Sequence, residues 1–252
     1  MGKVVLSAKG VCKSYGAENG NRILNQVDVD IYEGDFTIIM GASGAGKSTL
    51  LYALSGMHRI TEGRVLYREQ EISHMKEREM AELRAREFGF VFQQTHLVSN
   101  LTLLENVEVA GFLGGRGGTG AVKKRAKELL EGFHLEQAGD RLPAQVSGGE
   151  AQRAAIARAI INHPGILFAD EPTGALNKRN TMEVLDLLTD LNRRGQSILM
   201  VTHDLKAALR GSRILYLEDG KILDEKTLPP FGTDDGKERE TVVSGWLSSL
   251  EW

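Results

Sequence analysis

The stretch Gly41-Ala42-Ser43-Gly44-Ala45-Gly46-Lys47-Ser48 has a glycine first and Gly-Lys-Ser last. It follows the apolar run Phe36-Thr37-Ile38-Ile39-Met40 and leads into the helical pattern Thr49-Leu50-Leu51-Tyr52-Ala53-Leu54. That order is strand, glycine-rich loop, helix. Successive backbone N–H groups in such a loop turn inward and form a nest for anionic oxygens, and the helix behind adds the positive end of its dipole. Lys47 has the reach for β- and γ-phosphates, and the Ser48 hydroxyl is a ligand for Mg²⁺. The alternative is a strand-to-helix turn with no chemistry, but this spacing in this context favours phosphate.

The 252 residues suffice for a full core, as one larger domain or a domain with a subdomain. Charged residues at 26% and hydrophobic residues at 41% are ordinary for a globular chain. A net charge of -3 argues against generic nucleic-acid binding, which favours a basic face. Cys12 is the only cysteine, so an internal disulfide and a cysteine metal cluster are excluded. It reads as a small buried hydrophobe in an early strand, compatible with a reducing compartment. Met1-Gly2-Lys3 leads into a strand pattern rather than a long apolar signal segment. No apolar run approaches the ~18–20 residues that cross a bilayer. Any membrane role is expected to run through a partner.

Upstream of the loop, residues 3–6 and 8–12 are short apolar runs, and Val27, Val29 and Ile31 alternate with Asp28 and Asp30. Period-two alternation predicts half-buried antiparallel strands. Between them lies a polar loop, residues 15–21. Tyr15 there is either a core aromatic or a stacking surface for a base. Downstream, the pattern predicts a strand at 64–67, a charged helix from about Ser73 to Arg86, and a buried strand at 87–92 ending in Gln93-Gln94. Leu97, Leu101, Leu104 and Val107 are spaced to line one helical face. Six of the ten residues 111–120 are glycine. Each costs roughly 1 kcal/mol relative to alanine in a helix interior, so a flexible loop is expected there. Helix resumes at 122–133.

Ser147 and Glu150 have the spacing of a capping box ahead of a helix at 151–161. Gly148-Gly149 is costly in a first turn unless something must approach the backbone closely. Residues 165–169 read as a buried parallel strand ending in Asp170-Glu171. Ligands in open α/β sheets sit beyond the carboxyl ends of strands. Asp170 then suits Mg²⁺ and Glu171 suits activation of a water, against the alternative of two merely solvated acids. A helix at 180–193 and a strand at 197–201 lead to Thr202-His203-Asp204, where a histidine ring N–H has access to a γ-phosphate or is incidental. Residues 214–217 and 221–224 read as a closing hairpin, and 225–240, with Pro229-Pro230, as a linker. Val242, Val243, Trp246, Leu247 and Leu250 fall on one face of a last amphipathic helix, expected to pack on its own domain, with docking on a partner or membrane surface as the alternative.

Together these pieces resemble the ATP-binding subunits of ABC (ATP-binding cassette) transporters over about residues 3–225. The P-loop, a strand-end glutamine, the Ser-Gly-Gly signature, the Asp-Glu strand end and the histidine stand in the family's order. The runs Gly89-Phe90-Val91-Phe92-Gln93-Gln94, Leu101-Thr102, Glu105-Asn106-Val107 and Ala169-Asp170-Glu171-Pro172-Thr173-Gly174-Ala175-Leu176 are most similar to the MacB- or LolD-like branch. That branch holds macrolide exporters, lipoprotein-releasing systems and peptide-antibiotic exporters. A cell-division cassette that works on cell-wall hydrolases is also similar.

The resemblance implies an α/β fold: a P-loop NTPase core with a parallel sheet, an N-terminal antiparallel β subdomain and a helical signature subdomain. The ATPase domain would be 1–225, its helical part about 95–161, with 226–252 a linker and amphipathic helix. ATP and Mg²⁺ are implied. Gly41 and Ser43 through Thr49 (Ser43, Gly44, Ala45, Gly46, Lys47, Ser48, Thr49) would cradle phosphates, and Tyr15 would stack on adenine. Ser48, Gln93 and Asp170 would hold Mg²⁺, and Gln93 would also contact the attacking water and sense the membrane partner. Glu171 would be the general base, and His203 and Lys47 would contact the reacting phosphates. Ser147, Gly148 and Gly149 of a second copy would close over the nucleotide in a head-to-tail homodimer. A separate transmembrane permease would export or extract a peptide-like, lipidated or hydrophobic substrate. The subunit would be cytoplasmic and peripheral, on the membrane only through that permease, with no nucleic-acid partner. A regulatory cassette whose partner transmits force to a cell-wall enzyme is the alternative; soluble DNA-repair or translation cassettes fit less well. Two positions depart from the family pattern. Glu150 replaces the usual glutamine, putting a carboxylate near triphosphate. Asn177 replaces a usual aspartate, removing a charge.

Overall fold

The computed structural model describes residues 2–16, 20–115, 117–232 and 236–250. Ala17, Glu18 and Asn19 of the polar loop, Arg116 of the glycine-rich stretch and residues 233–235 of the linker lie outside them, as do Met1, Glu251 and Trp252. In chain order the elements are β1 (Val4–Tyr15), β2 (Asn21–Tyr32), β3 (Phe36–Met40), α1 (Lys47–Leu54), β4 (Glu62–Tyr67), β5 (Gln70–Glu71), α2 (Glu77–Glu87), β6 (Phe88–Phe92), α3 (Leu103–Gly114) and α4 (Thr119–Gly132). Then follow α5 (Gly148–Ile160), β7 (Ile166–Asp170), α6 (Lys178–Arg193), β8 (Ser197–Val201), α7 (Leu205–Ala208), β9 (Arg213–Glu218), β10 (Lys221–Thr227) and α8 (Gly236–Ser248). The chain divides into two compact units, Met1–Lys76 with Asn192–Trp252, and Glu77–Leu191.

In the first unit, β1 pairs antiparallel with both β2 and β4, and Ala8 faces Val29 while Leu6 faces Ile31. The alternation seen in the sequence sends Val27, Val29 and Ile31 inward. Cys12 is fully buried in β1, and its Sγ accepts the Gln26 N–H at 3.3 Å. Strand β3 lies between β8 and β9, parallel to both, and β10 returns antiparallel on β9. Every residue of β3 and β8 is buried, as expected of strands covered on both faces.

Three boundaries differ from the sequence reading. The charged helix begins at Glu77, not Ser73, because the Ser73 hydroxyl is committed to β4: it accepts from Val65 N at 2.6 Å. The expected linker is shortened from both ends, since β10 pairs on β9 as far as Thr227 and α8 starts at Gly236. The buried face of α8 is Arg239, Val243 and Leu247, whereas Val242 is exposed.

In the second unit, β6 and β7 are parallel neighbours. Helix α3 begins at Leu103, so Leu97 and Leu101 do not share its face. Thr102 starts it with a capping box closed by Glu105. Buried Asn106 then folds the preceding segment back, accepting from Val98 N and donating to the carbonyls of Val98 and Leu101. The glycine-rich stretch is also corrected. Gly111 and Gly114 belong to α3, and Gly120 to α4. A Cβ on Gly111 would lie 2.5 Å from Val122 Cγ1, so here glycine serves close helix packing rather than a loop.

Candidate functional site

Within the first unit the glycine loop leaves β3 and closes onto α1, whose N-cap Gly46 has φ 101. Gly44, at φ 84, has no atom within 4 Å of where a Cβ would stand, and Ala42, Ser43 and Gly44 are exposed. Lys47 is 8% exposed, and its ammonium donates to Gly41 O at 2.9 Å and Ala42 O at 2.8 Å. The loop is thus wrapped around a buried cation, at the positive end of a helix. Ser48 and Thr49 are half-buried in the first turn of that helix. Such a cradle suits an anion.

His203 leaves the neighbouring strand. Ile39 of β3 is level with Val201 of β8, so His203 and the glycine loop emerge at one edge of the same parallel pair. It is exposed between Thr202, whose hydroxyl accepts from Asp204 N, and Asp204, which caps α7. Tyr15 is 45% exposed, which sets aside the core-aromatic alternative. Its hydroxyl is 3.0 Å from His58 Nδ1, and the Lys13 ammonium sits 4.6 Å from its ring centroid. Burial, and then the Lys13 charge, push His58 below the ordinary 6.5, so the ring beside Tyr15 is neutral near pH 7.

In the second unit, Phe92 is level with Asp170, so Gln93 and Glu171 follow side by side at the ends of β6 and β7. The point where a Cβ on Gly174 would stand is 3.0 Å from Gln93 Nε2 and 3.3 Å from Glu171 Oε2, so both side chains converge there. Glu171 adopts φ 46, a left-handed conformation that costs a non-glycine residue about 1 kcal/mol or more. Strain of this kind is common where a side chain must be aimed.

Ser147 caps α5 with the box expected: its N–H and hydroxyl donate to one Glu150 carboxylate oxygen at 2.8 and 2.7 Å. Glu150 is therefore turned back onto its own helix cap. Gly149 has an internal reason to be glycine, because a Cβ there would lie 2.6 Å from Cγ of Asn180 on α6. Gly148 is exposed. Asn177 accepts from Asn180 N at 2.9 Å through its side-chain oxygen, the capping bond an aspartate would also make. Gln152 and Arg158 of α5 donate to backbone carbonyls on either side of Gln93 and are not predicted from the sequence, where polar helix residues read as solvated.

Oxygen donors define the metal question. In the second unit Asp170 offers a half-buried carboxylate and Gln93, beyond the neighbouring strand end, an amide oxygen, both donors suited to a hard cation; in the first unit the Ser48 hydroxyl is a donor of the same kind. Among the described residues no cluster of three or more His, Cys, Asp or Glu could hold a metal by itself. Mg²⁺ is usually held by one or two protein oxygens, with phosphate oxygens and water completing its shell.

The family model described as ABC transporter matches residues 24–174, more than half of the chain. An uncharacterized ABC transporter ATP-binding protein of Methanocaldococcus jannaschii, MJ1508, is 46% identical over 87% of this chain and 98% of its own length. Macrolide export ATP-binding/permease proteins MacB of Wolinella succinogenes and Paracoccus denitrificans are 41% and 39% identical, over 88% and 93% of this chain. The match spans only 34% and 35% of their lengths. Among solved structures, the dimeric ATP-binding cassette MJ0796 in a post-hydrolysis state bound to ADP and Pi superposes with a TM-score of 0.82. It shares 39% identity over 90% of this chain and all of that one.

Proposed function

Because the chain belongs to the ABC transporter family as an ATPase cassette with the α/β P-loop NTPase fold, we propose that it drives a separate membrane permease as a head-to-tail homodimer. The observation that carries this reading is the loop around Lys47: exposed backbone at Gly44, a buried ammonium and a helix N-terminus at one point. ATP is the substrate. The backbone of Gly41 and Ser43–Thr49 and the Lys47 ammonium bind its phosphates, and the Tyr15 ring face takes the base. Ser48, Asp170 and Gln93 would hold Mg²⁺, which would supply charge neutralisation on the phosphate oxygens. Glu171 orients and deprotonates the attacking water, Gln93 positions it from beside, and His203 donates toward the γ-phosphate. Ser147, Gly148 and Gly149 of the second copy complete the site. Catalysis is then mostly positioning and charge stabilisation.

The likeness to the two macrolide export ATP-binding/permease proteins supports a permease partner and export or extraction of a hydrophobic, lipidated or peptide-like substrate. Attachment at the cytoplasmic face of the membrane runs through that permease, a reading supported by the same likeness to ATP-binding/permease proteins. We assign 1–225 to the ATPase domain, with 95–161 its helical part, and 226–252 to a C-terminal extension. The deciding experiment measures phosphate release from Mg-ATP and particle mass by light scattering for the wild type and Glu171→Gln. Turnover lost in the variant, with a dimer held by ATP, supports the reading. Unchanged turnover in Glu171→Gln removes Glu171 as the base.

A further inference from the structure

Gln152, in the second turn of α5, is 1% exposed. Its amide donates to Phe92 O at 2.9 Å and to Pro172 O at 2.7 Å. Phe92 immediately precedes Gln93, and Pro172 immediately follows Glu171. One NH₂ group therefore pins the ends of β6 and β7 at the two points from which Gln93 and Glu171 project. Its Oε1, also buried, accepts no hydrogen bond among the described residues. An idle buried acceptor is unfavourable, so the two donor bonds are what this side chain contributes.

Farther along the same helix, Arg158 donates to His96 O at 2.6 Å and Thr95 O at 2.7 Å. Residues Gln93 and Gln94 are thus bracketed by two anchors on α5, Gln152 before them and Arg158 after them. The N-cap of this helix is Ser147, with Gly148 and Gly149 in its first turn. A helix transmits displacement along its length as a stiff unit. A shift of its N-terminus therefore moves the backbone on both sides of Gln93 and next to Glu171.

We propose that Gln152 is a positioning residue for ATP hydrolysis, tying Gln93 and Glu171 to the helix whose N-terminus meets the nucleotide of a second copy. Arg158 is the second tie, on the far side of Gln93. This inference rests on the assignment of Glu171 as base and of a shared dimer site. Contact of Ser147-Gly148-Gly149 with nucleotide is then sensed at Glu171 through two hydrogen bonds, and turnover is linked to closure of the dimer.

The test uses the full chain, with Mg-ATP turnover and binding of a fluorescent ATP analogue measured in parallel. Gln152→Met keeps the size and removes both donors. Its kcat is expected to fall about 10- to 100-fold, the scale of an ångström-level misplacement, with nucleotide affinity within about two-fold of wild type by the same argument. Gln152→Glu supplies a readout that packing alone does not. Ionised, it faces two carbonyl oxygens; protonated, it donates to one. Its turnover relative to wild type is expected to rise as pH falls from 8 to 6. Glu171→Gln, inactive in the same assay, shows that the assignment of the base stands independently. Wild-type kcat in Gln152→Met, or a flat pH ratio for Gln152→Glu, with Glu171→Gln inactive, overturns the positioning role alone. Active Glu171→Gln overturns the assignment beneath it.

Discussion

A Cβ on Gly114 would stand 2.2 Å from Nδ2 of Asn162, the atom that donates to Ala85 O at 3.0 Å and Ala110 O at 2.8 Å. The glycine and the asparagine therefore specify each other: the side chain that joins α2 to α3 occupies the volume a β-carbon would take. Gly114→Ala is expected to push Asn162 off both carbonyls. The sum of lost buried hydrogen bonds and overpacking is about 2–4 kcal/mol of destabilisation. Gly120, in α4, has nothing within 4 Å of its Cβ position. Gly120→Ala is expected to stabilise by about 0.5–1 kcal/mol. Urea denaturation of both variants checks the pair; equal midpoints would remove the packing explanation of the glycine-rich stretch.

The contrast between these glycines marks what the sequence reveals. Features governed by neighbours within a few residues were legible: the loop at 41–48, the bounds of β8 and the box joining Ser147 to Glu150. Each is a local rule of spacing. The helical state of Gly111 and Gly114 was not legible, since it depends on Val122 and Asn162 meeting them from elsewhere in the chain. For the same reason Ser73 read as helix when its hydroxyl belongs to β4. Gln152 lay hidden because a polar residue in a helix reads as solvated until its two distant carbonyls are seen. Gly149 read as a ligand contact, and the structure adds an internal one, Asn180.

Lys47 holds two loop carbonyls while nearly buried, so Lys47→Ala removes both the cation and the bonds that shape the cradle. Hydrogen bonds to charged groups are worth about 1.5–3 kcal/mol. Nucleotide affinity is expected to fall by about 10- to 100-fold, since each tenfold step is about 1.4 kcal/mol. Titration with a fluorescent ATP analogue reads this directly. Affinity within a factor of about two would show that the ammonium serves the loop only, since charge-assisted bonds are stronger than that.

Arg239 is 5% exposed, and its guanidinium donates to Leu209 O at 2.6 Å, to Pro229 O at 2.7 Å and to Gly211 O. These carbonyls belong to the turn after α7 and to the segment after β10, so one side chain ties α8 to two other segments of the first unit. Trp246, two turns along, reinforces the contact by donating to Asp224 at 2.8 Å. Arg239→Ala leaves three carbonyls without this donor and is expected to cost about 2–4 kcal/mol. Arg239→Lys, with a single ammonium, should recover only part of it. Chemical denaturation orders the three proteins, and Arg239→Lys equal to wild type would argue against the three-carbonyl geometry.

Glu150 carries the pH dependence of the α5 cap. The Ser147 hydroxyl and N–H, in that order, lower its pKa from the ordinary 4.5. A folded-state value below the unfolded one means that the contribution is fully present above 4.5 and is lost as pH falls through the depressed folded value. Glu150→Gln cannot titrate. Its amide oxygen still accepts from Ser147, so the helix start should persist. The wild type is therefore expected to lose thermal stability relative to Glu150→Gln as pH drops below 4.5, with a constant difference above it. Glu105 titrates in the same direction through Thr102, but it is common to both proteins and cancels in the difference. Paired melting curves across that range read the sign. A difference that stays constant through the acid range would mean that the Ser147 bonds do not depend on the charge of Glu150.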